Sequence, residues 1–305
     1  MTAALQVVSI VGPTASGKTK LSLALADRFD AEIVNLDAYQ IYRGMDIGTA
    51  KPTASELAQV AHHLIDVVDI DFNASVSDFQ QWAHAAIADI TSRGKLAICV
   101  GGSGLYVRAV LDELNIPATH PEIRQKYNDL LMEHGEDWLH RLLAEVDPVA
   151  AAVILPGNSR RVVRALEVNE LTGAPFQATI PDASPMYRDV RIALAANREE
   201  IAQRIATRTS VMFDAGWPEE VALLDRAGLQ STPTASKALG YREVSLFNAG
   251  ELTRDDAQAL IAHATVKFSK RQMQWFNRDH ANVWLEGNRP SLLADASAII
   301  AAALR

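Results

Sequence analysis

LQVVSIVGPTASGKTKLSLALADRF, residues 5–29, sets the architecture of this chain. LQVVSIV (5–11) is a short apolar run enriched in β-branched side chains, the pattern of a buried strand. GPTASGKT (12–19) matches G-x-x-x-x-G-K-[ST], and KLSLALADRF behind it has helical periodicity. A strand, a glycine loop and a helix in that order form a phosphate cradle. Gly12, Pro13, Thr14, Ala15, Ser16 and Gly17 wrap the backbone so that its N–H groups meet phosphate oxygens, Lys18 adds a point charge, and the Thr19 hydroxyl can ligate Mg2+. The motif specifies a polyphosphate and does not by itself specify ATP.

The alternation continues outward from the loop. AEIVNLD (31–37) reads as a second strand ending in an acid, DFQQWAHAAIADITSRG (78–94) as an amphipathic helix closed by Gly94, and KLAICVGGSG (95–104) as a third strand running into a glycine turn. The character then changes. Residues 117–181 are helical in pattern throughout, after which RDVRIALAAN (188–197) restores a strand and EEIAQRIATRTSVMFDAG a long helix. DHANVWLE (279–286) is a candidate last strand. The expected fold class is α/β: a P-loop NTPase-like parallel sheet flanked by helices, with a helical insertion domain. The core is expected to span 1–114 and 183–305, and the insertion 115–182.

Composition narrows the class. The 305 residues are 49% hydrophobic and 22% charged, a globular balance. No run approaches the ~18 apolar residues of a membrane span, and MTAALQVV lacks the basic start of a signal peptide, so a cytoplasmic protein with no membrane partner is expected. One cysteine, Cys99, stands in the apolar run LAICV, which suits a buried strand thiol and excludes an intramolecular disulfide. The net charge of −8 disfavours nucleic acid globally, but charge is segregated. KFSKRQMQWFNR (267–278) holds four cations and no acid, and SRRVVR (159–164) three cations.

Several positions could carry chemistry. Asp37, at a strand's carboxyl end, should face the ligand crevice of an open α/β sheet. GGSG (101–104) ends another strand there; its glycines allow a ligand close to the backbone and Ser103 offers a hydroxyl, or they simply make a tight strand-to-helix turn. The LAICVGG strand lacks the terminal aspartate that an NTPase uses to hold a metal-bound water, so a motor-type ATPase is missing a part. His62 and His63 are adjacent and would point to opposite faces of a strand, against a shared metal. Arg204 and Arg208 share one helix face and could clamp phosphates as readily as face solvent. KRQMQWFNR mixes cations with Trp275 and Phe276, which suits single-stranded RNA or an amphipathic helix with a buried aromatic side.

Together, GPTASGKT, DAYQIYRGMDIGTAKP (37–52), HHLIDV (62–67), GGSGLYVRA (101–109), RRVVRALEV (160–168), GYREV (240–244) and KRQMQWFNR (270–278) resemble, in order and over nearly the whole chain, the bacterial tRNA dimethylallyltransferases. The resemblance implies transfer of a dimethylallyl group from dimethylallyl diphosphate to the exocyclic N6 amine of the adenosine 3′-adjacent to the anticodon, in tRNAs reading codons that begin with U. It makes Asp37 the general base, with Lys18 and Ser103 also catalytic; the family usually has threonine where Ser103 stands. Gly12 to Thr19 and Arg208 become the diphosphate site, with Mg2+ on Thr19. tRNA contacts are implied for Asp37, Ala38, Tyr39, Gln40, Ser103, Arg124, Arg160, Arg161, Arg164, Gly240, Tyr241, Arg242, Lys270, Arg271, Gln272 and Trp275. The insertion would grip the anticodon stem-loop, and a monomer is expected. The zinc finger of eukaryotic relatives is not expected in a chain with one cysteine.

Three rivals share part of this pattern. A small-molecule kinase explains the loop and Asp37 but not residues 37–52 or the basic–aromatic stretch. A non-enzymatic RNA-binding protein has no use for an intact Lys18, Thr19 and Asp37. A prenyltransferase of free adenine nucleotides needs no insertion to hold tRNA.

Overall fold

A computed structural model describes residues 6–179, 181 and 183–305. Leu5 of the first expected strand and Asp182 of the expected insertion boundary lie outside them. The chain forms two compact units, one of residues 1–74, 79–112 and 185–305, the other of 75–78 and 113–184.

In chain order the elements are β1 (Val7–Val11), α1 (Lys18–Arg28), β2 (Ala31–Asn35), α2 (Ala54–Gln59), β3 (His62–His63), α3 (Val76–Ser92), β4 (Leu96–Gly101), α4 (Gly104–Leu111), α5 (Pro121–His134), α6 (Glu136–Val146), α7 (Pro148–Val153), α8 (Ser159–Thr172), β5 (Asp189–Ala195), α9 (Arg198–Asp214), α10 (Trp217–Arg226), α11 (Tyr241–Asn248), α12 (Arg254–Phe276), β6 (Asn282–Glu286) and α13 (Leu292–Ala303). All six strands pair in parallel in the order β3-β2-β4-β1-β5-β6. Parallel strands require crossovers, and the helices between them cover both faces. The central strands are therefore buried throughout: β1 and β2 have no exposed residue.

Two apolar layers flank the sheet. Ile10, Leu25, Ile33, Ile98 and Ile192 join Ile300 of α13 on the α1 side. Phe79, Ile87, Val107, Phe213, Trp217, Tyr241 and Ile261 build the larger layer opposite. Leu25, Ile10 and Ile98 are fully buried, each worth about 1.5–3 kcal/mol against exposure. Cys99 is likewise buried, and burial pushes its thiol well above the usual range, so it is an inert packing residue.

The second unit is helical. The long periodic stretch from Pro121 breaks at Gly135, whose φ of 84° separates α5 from α6. Leu139, Leu143, Ala150, Val162, Ala165 and Leu166 form its core. Asp147 ties it together: one carboxylate oxygen accepts the Ala150 N–H that opens α7, and the other accepts the Phe176 N–H and the Asn169 amide.

Candidate active site

The phosphate loop lies between β1 and α1 at the carboxyl edge of the sheet, where an open α/β fold places its ligand. Lys18 curls back over it, its ammonium donating to the carbonyls of Gly12 (3.0 Å) and Pro13 (2.7 Å). Arg208, from α9, donates through Nη2 to Thr14 Oγ1 at 2.8 Å, and Arg204 one turn earlier reaches Ala15 O at 3.4 Å. The shared face read from their spacing is thus turned toward the loop. Gln203, Arg204, Thr207, Arg208 and Val211 line an open cavity of about 480 Å³ along α9.

Asp37 stands two residues beyond β2, which ends at Asn35 rather than at the acid itself. Asn35 holds it: the Asp37 N–H donates to Asn35 Oδ1 (3.0 Å), and Asn35 Nδ2 donates to Asp37 O (3.3 Å) and Leu64 O (3.0 Å). The Asp37 carboxylate accepts the Tyr39 N–H at 2.9 Å. Asn35 was not singled out from the sequence; a polar residue directly after the apolar pair Ile33 and Val34 was the available signal.

Lys18, Arg208 and Asp37 act on one another's charge. Burial, then repulsion from Arg208, brings the Lys18 ammonium down to about 7, against a smaller pull upward from Asp37. Burial also lowers Arg208. Burial raises the Asp37 carboxyl, opposed by backbone N–H groups of Tyr39 and Gln40 and by both cations. Two desolvated cations beside one carboxylate form a site short of negative charge, which an incoming diphosphate supplies.

Other expected contacts fall into two classes. Arg160, Arg242, Lys270, Arg271 and Trp275 are exposed, and Ala38 is half-buried near the site. Ser103 occupies the N-cap position of α4 without using its hydroxyl as a cap. The remainder are engaged within the protein. Tyr241 is fully buried and donates to Glu220 Oε1 at 2.8 Å. Gly240 has φ 89° and lies under Trp217, where a Cβ would come within 2.2 Å of the ring. Gln40 Nε2 donates to the carbonyls of Thr49 and Ala50, and Tyr39 OH to Lys237 O. Arg124 and Arg164 both grip Glu167, which is fully buried, and Arg161 donates to Ala178 O. Gln272 points inward: its Oε1 accepts the Thr14 N–H and its Nε2 donates to Gly102 O, each at 2.9 Å. Gly240, Tyr241 and Gln272 are buried, whereas Tyr39, Gln40, Arg124, Arg161 and Arg164 stay part-exposed with polar groups paired inside the protein.

The GGSG turn joins β4 to α4 tightly. Its glycines make room for protein: a Cβ at Gly102 would lie 2.3 Å from Gln272 Nε2, and one at Gly104 2.8 Å from the Trp275 side chain. His62 and His63 have separate partners, Val60 O and Glu32 respectively, as opposite-facing neighbours on β3 require.

The profile of the IPP transferase family matches residues 40–279. A tRNA dimethylallyltransferase of Salinispora tropica is 48% identical over 98% of this chain and 94% of its own, and one of Thermobifida fusca is 48% identical over 96% and 94%. The chain belongs to the tRNA dimethylallyltransferase (IPP transferase) family. A solved family structure, the full-length tRNA isopentenylpyrophosphate transferase of Bacillus halodurans, is 36% identical with a TM-score of 0.72, covering 98% of this chain and 96% of that one. A eukaryotic dimethylallyltransferase solved acting on tRNA is 25% identical with a TM-score of 0.82, covering 97% and 78%. Membership sets aside the kinase reading. Among the described residues no helix is long and apolar enough to cross a membrane.

Proposed function

We propose that this chain transfers the dimethylallyl group of dimethylallyl diphosphate to the N6 amine of the adenosine 3′-adjacent to the anticodon, in tRNAs reading codons that begin with U, releasing diphosphate. The observation that carries the reading is the phosphate loop with Lys18 folded over it and Arg208 bonded to Thr14, next to the strand end where Asn35 holds Asp37. A kinase-type loop paired with a half-buried carboxylate suits a reaction that expels diphosphate and removes a proton.

An exocyclic amine is a weak nucleophile because its lone pair is delocalised into the ring. The new bond joins N6 to the allylic C1 while the C1–O bond breaks and its electron pair leaves on the diphosphate. Asp37 takes the N6 proton as attack proceeds. Burial raises its pKa, which strengthens it as a base, while Lys18, Arg208 and the backbone N–H groups of Tyr39 and Gln40 pull toward the carboxylate. Loop N–H groups, Lys18 and Arg208 face the oxygens on which charge accumulates. Ser103, at the turn opposite, is assigned to the substrate side. To reach Asp37 the base leaves the anticodon-loop stack.

Thr19 is exposed in the first turn of α1, and no cluster of three or more carboxylates, histidines or cysteines able to hold a metal occurs among the described residues. One hydroxyl completed by diphosphate oxygens and water suits Mg2+, which binds chiefly through substrate phosphates. Bound there, Mg2+ would neutralise charge on the leaving group. Residues 115–182 and the exposed cations Arg160, Arg242, Lys270 and Arg271 are assigned to the anticodon stem-loop, with the enzyme acting as a cytoplasmic monomer.

The test is a transfer assay with Mg2+, labelled dimethylallyl diphosphate and an anticodon stem-loop carrying consecutive adenosines 3′ of the anticodon, with AMP as a parallel acceptor. Label in the RNA is the expected result. Label in AMP alone would assign the chain to free-nucleotide prenylation instead.

A further inference from the structure

Gln272 stands on α12 in the middle of the basic stretch, with Lys270 and Arg271 exposed directly before it. Gln272 is itself only 5% exposed, and its side chain bridges two loops. Oε1 accepts the N–H of Thr14, inside the phosphate loop, and Nε2 donates to the carbonyl of Gly102, in the turn that carries Ser103. The amide orientation is dictated at both ends, since a backbone N–H can only donate and a carbonyl can only accept. Few side chains could replace it. Glutamate would set an oxygen against Gly102 O, lysine an extra donor against Thr14 N–H, and methionine would leave both buried groups unpaired. The fit depends on Gly102, where a Cβ would lie 2.3 Å from Nε2.

Two neighbouring contacts tighten the same link. Thr14, whose N–H Gln272 holds, also accepts Arg208 through its hydroxyl at 2.8 Å. Trp275, one turn along α12, packs on Gly104, next to Ser103. The helix therefore holds the diphosphate loop and the Ser103 turn from one face and presents cations from another.

We propose that Gln272 is a positioning residue that couples RNA seated on α12 to the diphosphate loop, holding that loop and the Ser103 turn in register. This rests on the tRNA prenyltransfer reading above. RNA bound at Lys270 and Arg271 restrains α12; through Gln272 it restrains Thr14, so the diphosphate meets a loop whose ordering cost is already met. Coupling is reciprocal, so the donor must tighten RNA by the factor by which RNA tightens the donor.

The experiment measures binding of dimethylallyl diphosphate with Mg2+ to the full chain, with and without an unreactive stem-loop lacking the acceptor amine. In the wild type the stem-loop should tighten donor binding about five-fold or more. In Gln272→Met and Gln272→Glu, stem-loop affinity should persist while the coupling falls to unity, and kcat should drop more than KM for RNA rises. Coupling retained in either variant, or absent from the wild type, overturns the proposal. A second measurement needs no variant: hydrogen exchange at the Thr14 amide should slow when stem-loop binds without donor, and an unchanged rate also overturns it. If the wild type transfers no label to stem-loop RNA, the functional reading itself fails, a result distinct from normal transfer without coupling.

Discussion

Arg208 Nη2 and Thr14 Oγ1 lie 2.8 Å apart although 194 positions separate them in the chain. The guanidinium is half-buried and held beside Lys18, so it contributes charge and a fixed direction. Arg208→Lys keeps the charge but loses the planar fork and its reach to Thr14. KM for dimethylallyl diphosphate should rise about 10-fold, the scale of one charge-assisted hydrogen bond, with RNA affinity unchanged. Steady-state kinetics with each substrate varied in turn checks this.

Asp37→Asn tests the base. The amide oxygen can still accept the Tyr39 N–H, so the turn should hold, while the proton acceptor is gone. Transfer should fall roughly 10²–10⁴-fold with stem-loop affinity preserved. Near-normal single-turnover rates would remove Asp37 from that role.

Lys18 has a pH signature. Buried beside Arg208, it titrates at about 7 in the free protein instead of 10.5. Its folded pKa lies below the unfolded value, so the unfolded chain binds the extra proton between these limits. This group's contribution therefore makes stability rise with pH from about 7 to 10.5. A bound diphosphate favours the ammonium and raises its pKa. Donor binding at pH 8 should take up a proton, and affinity should weaken as pH climbs above 7. Calorimetry in buffers of different ionisation enthalpy measures the uptake, which Lys18→Met should abolish.

Glu220 anchors the loop that follows Asp37. Its carboxylate accepts the N–H groups of Asp46 (2.9 Å), Ile47 (2.6 Å) and Gly48 (3.2 Å), together with Tyr241 OH. Glu220→Ala leaves these donors unpaired, at a cost of about 3 kcal/mol. Tm should fall by roughly 6–12 °C by that measure, and a thermal melt reads it directly.

Lys270 and Arg271 are exposed, so replacing both with Ala should leave Tm unchanged. Stem-loop binding should weaken, and the slope of log K against log[salt] should become shallower by about 1–2. A salt titration of binding that gives the wild-type slope would show that these cations do not meet phosphate.

Local motifs were readable because their physics is local. The strand 189–195, the closing strand 282–286 and the parallel alternation all follow from periodicity and glycine or proline punctuation over a few residues, whereas the break at Gly135 within the helical stretch went unread. The position of Asp37 was readable because a carboxyl end of a strand has a known address in this architecture. The inward face of α12 was not. KRQMQWFNR has cations, an amide and aromatics in one short run, and its composition does not say which of them turns toward the core.

By itself, the sequence determined the strand–loop–helix phosphate site, the α/β class, the helical stretch of the second unit and the family to which its motifs belong. Only the tertiary structure decided that Gln272 joins Thr14 to Gly102, that Tyr241 serves Glu220, and that Glu167 holds Arg124 and Arg164. The physical reason is the range of the interaction. Backbone cradles and amphipathic periods are written within about a dozen residues, whereas a side chain's direction depends on which distant surface its element packs against.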